Sequence, residues 1–448
     1  WDATSATIDA IWANCYSMIN RCNSVLDKIG NVSEKNRKQY EGEACMLRAY
    51  AYFTLVRLFG PVPLTEHVVD DYSDLYNYGR SPEKEVYALI GSDMGKAAAC
   101  LPPHYSEAGK AGRATSTAAK VMMADTHMTL GDFGSARKVL EEVVGYAKAN
   151  PASLGLLDDY ASVFDSQNPV NKEIIFVAQF NNGATVVANY LMKRCIPAVS
   201  PNDQPAYTLP DGTASTILTT QGVGCLLMTW DLYNRLRSNL ADKRYSQMVY
   251  DRLYDASQGT SRQTEEVDVN DNGDAFTPAT LKYFDMHNQG LKTCASGCDD
   301  IIYRYADVLL MYAECLNETN ATAEAKEYLD AVRHRAGLAG TQVTSQSEMR
   351  LAIEDERLLE LCFEGHRWYD LNRTGRINKV MTAHFNHRVK GLSAPLQANN
   401  NGMAVADCND ASGRPLEWRW NDSDGRILFP IPYSQLQLSG GWKQNPGY

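Results

Sequence analysis

The stretch from Ile301 to Gly375 constrains the fold of this chain more than any other. It begins IIYRYADVLLMYAECLNE and ends EDERLLELCFEGHRWYDLNRTG, and its apolar residues recur every three to four positions. This period is typical of amphipathic helices, so it predicts three consecutive helices rather than strands. The chain is therefore expected to be mainly helical.

An internal repeat extends the helical prediction to a second region. At an offset of 189 residues, six small or apolar residues recur: Val121, Met122, Ala124, Ala136, Leu140 and Val143 fall on Leu310, Met311, Ala313, Ala325, Leu329 and Val332. Gly131 falls on Asn320 at the expected turn between two helices, and both residue types tolerate turn conformations. This pattern is typical of stacked tetratricopeptide-like helix pairs. Segments 8–59 and 345–375 are expected to supply further pairs.

The remaining sequence divides into helical and irregular portions. Helices are expected over residues 8–30, 41–60 and 81–100, because apolar periods there end at glycine or begin at Ser-Pro. Residues 151–300 are rich in Pro, Gly, Asn and Asp, with a strand expected at Glu173–Phe180 and short helices at Trp230–Leu240. Residues 376–448 are also irregular, with a strand expected at Arg426–Phe429.

These portions give four segments, 1–150, 151–300, 301–375 and 376–448, which we expect to form one compact globular unit. The predicted fold is a mainly α, tetratricopeptide-like helical-repeat scaffold. It carries a loop-rich, irregular ligand-binding portion at 151–300 and a few short strands.

Charge narrows the classes of partner. The 448-residue chain has a net charge of −11, with acidic residues spread along it, so we expect no nucleic acid partner and favour neutral ligands. No run approaches the roughly 18 apolar residues of a membrane span. The chain begins inside a helical pattern without a signal peptide, and upstream sequence is expected to be missing.

The most suggestive binding feature is the loop DDYSDLYNYGRSP at residues 70–82. Tyrosine rings stack on the apolar faces of sugars while amides, carboxylates and guanidinium groups meet hydroxyls. The candidate ligand-binding residues here are Tyr72, Asp74, Tyr76, Asn77, Tyr78 and Arg80. Further candidates in the irregular portion are Trp230, Tyr283 and Phe284. The alternative is that these rings cover helix ends or fill a core.

A calcium site and a disulfide are also considered. DVNDNGD resembles the start of a calcium loop, with candidate ligands Asp268, Asn270, Asn272 and Asp274, but Ala279 stands where a bidentate glutamate is required. A structural calcium ion is one interpretation, and a plain Asx-rich turn is the other. No cofactor is expected to be required. Cys294 and Cys298 look exposed enough to pair. They are expected either to form a local disulfide or to remain as two free thiols.

The acids of residues 354–370 allow two interpretations. Two of them would suit a glycoside hydrolase, because such an enzyme requires two carboxylates, roughly 5–10 Å apart, that flank a sugar. Glu356, Glu360 and Glu364 are spaced four apart, however, and would repel one another on one helix face unless cations lie against them. Their alternation with Arg357 and Arg367 favours ion pairs between packed helices.

Many motifs resemble the SusD/RagB family. They are, in order, LRAYAYFTLVRLFGPVPL, RSP-x-x-EVY, GRATSTAAK, NKEIIFVAQF, RYADVLLMYAECLNE, VRHRAGL, ERLLELCFEGHRWYDLNRTG, FPIP and the final QNPGY. The resemblance covers nearly the whole chain. It implies a surface-exposed outer-membrane lipoprotein of Bacteroidetes-type bacteria with a tetratricopeptide-like scaffold. The signal peptide and the anchor cysteine of the family are absent from this sequence.

The same resemblance implies a binding protein rather than an enzyme. Its expected partners are an oligosaccharide or polysaccharide and a SusC-like TonB-dependent barrel that imports the captured glycan, with membrane contact only through a lipid anchor. Family members take a sugar-stacking aromatic from the loop equivalent to residues 70–82 or from the insert before RYADVLL. The alternative functions are the hydrolase above and an adaptor that binds protein segments.

Overall fold

The computed structural model describes residues 2–71, 79–105, 110, 112–180, 188–195, 207–208, 214–215, 223–255, 260–263, 278–285, 296–385 and 427–448. The described helices are α1 Ala6–Asp27, α2 Glu34–Phe59, α3 Glu83–Cys100, α4 Ser116–Thr129, α5 Phe133–Ala149, α6 Leu191–Cys195, α7 Trp230–Arg237, α8 Lys243–Met248, α9 Tyr305–Glu318, α10 Thr322–Arg335, α11 Gln346–Glu360, α12 Arg367–Arg373, α13 Ile377–Phe385 and α14 Tyr433–Ser439. The strands are β1 Ile174–Ala178, β2 Tyr207–Thr208, β3 Ala214–Ser215, β4 Val249–Tyr250, β5 Arg252–Asp255, β6 Thr260–Gln263, β7 Ala279–Thr280 and β8 Asp300–Arg304.

The scaffold helices form where the sequence predicts them. Polar side chains satisfy free backbone N–H groups at their starts: Thr115 accepts from Ala118, and Ser345 accepts from Glu348. Helix α2 is buried nearly all round its C-terminal half and ends at Gly60, whose φ of +71° is a conformation that L side chains rarely adopt. The predicted helices at 8–30, 41–60 and 81–100 are confirmed as α1, α2 and α3.

The internal repeat is confirmed with the predicted offset. Helices α4 and α9 begin and end 189 residues apart. Gly131 and Asn320 occupy the equivalent turns, with φ of +75° and +64°. The pair α4–α5 packs against the pair α9–α10 through contact of α5 with α9, and α2 and α3 extend the stack. The scaffold is therefore a tetratricopeptide-like array.

A strand pair corrects the prediction for the start of the repeat. Residues 300–304 form β8, not helix, and pair with β1 in antiparallel register, with Val177 opposite Ile301. Backbone pairing with a distant strand outweighs the local helical period here. The following residues to Gly375 form four helices instead of three, because α11 ends at Glu360 and α12 begins at Arg367.

The portions predicted to be irregular contain more secondary structure than expected. The strand at Glu173–Phe180 is confirmed as β1, and short strands β2, β3, β5 and β6 form one sheet. In the C-terminal portion, Tyr433–Ser439 is helical, and residues 427–429 are not a strand. The Phe429 N–H instead donates to the Leu58 carbonyl at 2.6 Å, near the end of α2.

Two main buried clusters, beside a small one around α7 that contains Trp230, organise the described residues. The larger contains scaffold side chains from Ile8 to Ile431. The smaller, which we call the insert core, lies under the loop-rich portion and contains side chains of β1, α6 and residues 279–284. The four proposed segments stay a prediction.

Candidate functional site

The candidate loop is held at its entry by α1. Tyr72, Asp74, Tyr76, Asn77 and Tyr78 lie outside the described residues, but the chain on both sides of them is described. On the entry side, the Asn20 carboxamide accepts from the Val69 N–H at 3.0 Å. The buried Asn23 amide donates to the Thr65 and His67 carbonyls at 3.3 and 2.9 Å.

Arg80 anchors the exit of the loop. Its guanidinium donates to the carbonyls of Phe59, Pro61 and Lys443 at 3.1, 2.8 and 2.9 Å and to Asn445 Oδ1 at 2.6 Å. Burial lowers the pKa of this guanidinium. Four of its five N–H groups are thereby used within the protein. The structure thus places Arg80 as the support of the loop, not as an open ligand contact.

The aromatic candidates of the insert lie in cores. Trp230, Tyr283 and Phe284 are 7, 3 and 6% exposed, and the Tyr283 hydroxyl donates to the Phe363 carbonyl at 2.6 Å. A ring needs an open face to stack on a sugar. The structure therefore gives these three side chains a packing role, because their faces are covered by neighbouring side chains.

Beneath the insert lies a cluster of charged side chains that we call the buried ion network: Glu173, Asp242, Arg244, Lys282, Arg304, Arg335, Glu356, Glu360 and Glu364. Arg304 is its centre. It donates to Glu173, Glu360 and Glu364 at 3.0, 2.6 and 2.7 Å and is 1% exposed. The network joins the residue before β1 and the α8 segment to α10 and α11, so it ties the insert to the scaffold.

Two of the carboxylates that suggested catalysis are held ionised inside this network. Burial alone would raise the pKa of Glu360, but Arg335, Arg304 and Arg244 lower it to about 2. Arg304 and Lys282 likewise overcome burial and lower the pKa of Glu364 to about 2. A glycosidase acid must instead be protonated near neutral pH and must reach its substrate. The predicted ion pairing is confirmed.

Glu356 and Glu364 complete the description of this acidic segment. Burial raises the pKa of Glu356, which is 1% exposed and accepts from Arg244 at 2.6 Å and Arg333 at 3.0 Å. Glu364 lies beyond the end of α11, so the expectation that all three carboxylates share one helix face is wrong. The turn after Glu360 points Glu364 at Arg304 and Lys282.

The metal and thiol predictions have different outcomes. Asp268, Asn270, Asn272 and Asp274 lie outside the described residues, so calcium stays a prediction. Within the described ranges, no three His, Cys, Asp or Glu side chains are grouped to hold a metal. Cys298 is a free thiol, only 1% exposed, so the expectation of its exposure is wrong, and Cys294 lies outside the described residues.

Sequence reasoning missed an exposed tyrosine on the insert. Tyr190 precedes α6 and is 54% exposed, although Ala188 and Met192 beside it are buried. Its surroundings, ANYLMKR, show no period that distinguishes an outward ring from a core ring. Only the packing of α6 on the insert core reveals its exposure.

A pocket also lies between the α3–α4 connection, α5 and β1. Tyr105, Tyr146 and Asn171 line it. Several of its polar groups already have protein partners: the Asn171 amide donates to the Val163 carbonyl at 3.3 Å, and Arg113 binds Glu43 through two bonds of 2.7 and 2.6 Å. The Tyr105 hydroxyl has no hydrogen-bond partner among the described residues. The pocket is therefore concave but offers a ligand few free hydrogen-bond donors.

The helical array and the insert that packs on it define the structural class of this protein. It is a tetratricopeptide-like helical-repeat protein with an inserted, loop-bearing portion. A model described as the SusD family matches residues 172–448, and one described as starch-binding associating with outer membrane matches residues 1–126. The chain belongs to the SusD/RagB family. In the described part of the chain, no helix has both the length and the apolar character needed to cross a membrane.

Individual relatives agree with this assignment. The chain is similar to SusD-like protein P2 of Formosa agariphila, at 27% identity over 83% of this chain and 73% of the relative. A SusD superfamily structure from Parabacteroides distasonis matches with a TM-score of 0.70 at 25% identity, covering 100% of this chain and 87% of the other. A laminarin-binding SusD-like protein matches with a TM-score of 0.70 at 25% identity, covering 98% and 86%.

Proposed function

We propose that this protein is a surface lipoprotein of the outer membrane that captures oligosaccharides and delivers them to a SusC-like TonB-dependent transporter. It acts as a binding protein and not as an enzyme. Membership of the SusD/RagB family supports this proposal, as does similarity to a structure described as laminarin-binding. A structural calcium ion at Asp268, Asn270, Asn272 and Asp274 remains part of the proposal.

The anchoring of the 72–78 segment is the observation that carries the proposal. Asn20 and Asn23 hold its entry, and Arg80 holds its exit against Asn445. An isolated antiparallel bridge between Val62 and Ser81, in which the Ser81 N–H donates to the Val62 carbonyl at 3.0 Å, closes the base. A segment whose ends are fixed loses less conformational freedom on binding, so more of its contact energy remains as affinity.

Stacking by Tyr72, Tyr76 and Tyr78 tests the proposal. We expect Tyr→Ala at each contacting ring to weaken oligosaccharide binding by about 1–3 kcal/mol, through lost ring stacking and lost apolar contact area. The melting temperature should stay nearly unchanged. Binding is measured on a glycan array and then by titration calorimetry, with Tyr40→Ala on α2 as the exposed control.

Two outcomes would overturn capture by this loop. One is that no glycan from a broad array binds the purified protein, and the other is that all three variants bind like wild type. The hydrolase alternative is tested in the same samples by sensitive detection of released reducing ends, because a binder alone releases none. A peptide library measured under the same conditions tests the adaptor alternative.

A further inference from the structure

Exposed apolar side chains cluster around α6 on the insert. Tyr190, Val223 and Leu226 are 54, 48 and 39% exposed. Segment 223–226 lies against the end of α6, because the Val223 N–H donates to the Lys193 carbonyl at 3.0 Å and the Leu226 N–H donates to the Arg194 carbonyl at 2.8 Å. We call Tyr190, Lys193, Arg194, Val223 and Leu226 the Tyr190 surface. Clustering of exposed apolar groups is typical of binding surfaces.

The backbone beneath Tyr190 is held firmly. Asn189 and Ser296 exchange two backbone bonds of 2.8 and 2.9 Å. The Asn189 amide also donates to the Cys298 carbonyl at 3.0 Å, and its side-chain oxygen accepts from the Leu191 N–H at 2.8 Å. Asn189 is 2% exposed and Met192 is fully buried. The exposed ring therefore projects from a fixed support, which lowers the ordering cost of binding.

Two cations, Lys193 and Arg194, closely follow Tyr190 in the chain. Tyr190 immediately precedes α6, and Arg194 is an exposed residue of that helix, whose Met192 and Cys195 side chains are buried. Among the described residues, neither Lys193 nor Arg194 forms an ion pair, whereas the buried Arg304 and Arg335 each pair with at least two carboxylates. In a chain of net charge −11, this is a local site where an anionic ligand escapes the general repulsion.

We infer that the Tyr190 surface binds an anionic oligosaccharide, with one sugar ring stacked on Tyr190 and its carboxylate or sulfate group paired with Arg194 or Lys193. This inference rests on the proposed capture of glycans and names the charge class of the glycan. A guanidinium group matches the paired oxygens of either anion, and the ring supplies the contact that a free ion lacks. Binding is accordingly sensitive to salt.

The test uses titration calorimetry of the full chain with three oligosaccharides of equal length. They are an oligogalacturonide, a sulfated galactan oligosaccharide and a neutral laminarin oligosaccharide. Tyr190→Ala is compared with Tyr433→Ala, a control in which the replaced ring is 51% exposed. Arg194→Gln is compared with Arg21→Gln, a control at an exposed position of α1. Circular dichroism checks that every variant is folded.

Wild type should bind one or both anionic oligosaccharides more tightly than the neutral one, and the arm that binds identifies carboxylate or sulfate. Tyr190→Ala should lower the association constant about three- to tenfold, the effect expected for one lost aromatic contact. Arg194→Gln should lower it by a similar factor for anionic sugars only and should flatten its salt dependence. Both controls should match wild type.

The inference is overturned if wild type binds neither anionic oligosaccharide, or if Tyr190→Ala and Arg194→Gln bind them like wild type. The proposed function is still supported if another glycan binds and its binding is weakened by substitution of Tyr72, Tyr76 or Tyr78. Failure of every glycan on the array removes the proposed function as well. The two failures are therefore distinguished by which oligosaccharides and which variants respond.

Discussion

Replacing Glu360 with glutamine should destabilise the whole protein, because it removes the shared anion of three buried arginines. One Glu360 oxygen accepts from Arg304 at 2.6 Å and also from Arg335, and the other accepts from Arg244 at 3.3 Å. Glu360 is 0% exposed. Glutamine has nearly the same shape, so the change removes the charge and leaves the packing largely intact.

The expected cost follows from the pKa of this carboxyl group. A decrease from the ordinary value of 4.5 to about 2 corresponds to about 3 kcal/mol of folding free energy. Removal of one partner from a buried ion pair costs about 3–5 kcal/mol, which agrees with that figure. At an unfolding entropy of about 2.1 cal/mol/K per residue, 4 kcal/mol lowers the melting temperature of a 448-residue chain by about 4 °C.

The stabilisation has a defined pH range. Because the pKa is lower in the folded state, the contribution is complete above about pH 4.5 and is lost as the pH falls towards about 2. The difference between wild type and Glu360→Gln should therefore be about 2 kcal/mol smaller at pH 3 than at pH 7. Urea unfolding at both pH values measures this difference.

The matched control is Glu142→Gln. Glu142 pairs with Lys120 at 2.7 Å, but its side chain is 63% exposed, so its loss should cost less than about 1 kcal/mol. The reasoning is refuted if Glu360→Gln costs no more than this control, or if its cost does not decrease in acid. Either result would mean that the arginines find other partners or that water enters the network.

Two further predictions concern backbone conformation and pH. Gly131 has φ +75°, and a Cβ there would meet no atom within 4 Å, so Gly131→Ala should lower the free energy of unfolding by about 1 kcal/mol through backbone strain alone. Asn320→Gly in the equivalent turn should be neutral or stabilising. Urea unfolding compares the two variants, and equal costs would contradict the equivalence of the turns. Burial, assisted by Asp300, raises the pKa of Asp299 to about 6, so the folded state binds the proton more tightly and stability should fall as pH rises from about 4 to 6. Burial also raises the pKa of Asp300, so Asp299→Asn should reduce this fall without abolishing it, and it should raise the melting temperature at pH 7. An unchanged pH profile of stability would contradict this prediction.

Local patterns predicted most of the scaffold correctly. Helices α4 and α9 share an offset of 189 residues because the same small and large side chains recur around turns that Gly131 and Asn320 both allow. The prediction failed at Ile301–Tyr303, which pair with β1 more than a hundred residues earlier. A local period contains no information about that distant partner.

The candidate site was less predictable than the scaffold. Arg80 looked like a ligand contact, yet its acceptors include Lys443 and Asn445 at the other end of the chain. Trp230 and Tyr190 look alike as aromatic residues in an irregular portion, but one ring is 7% exposed and the other 54%. Which ring remains open depends on how α6 and α7 pack.

The sequence by itself determined the helical class, the repeat and the family, since periodicity, turn residues and ordered motifs are local properties of the chain. It also indicated that the acids of the stretch from Ile301 to Gly375 are paired with cations. Only the tertiary structure decided which cations they meet: Arg244, Lys282 and Arg304 come from outside the acidic helix, and their side chains are each 1% exposed. Burial is a property of the assembled fold, and it separates side chains that support this protein from those free to bind a ligand.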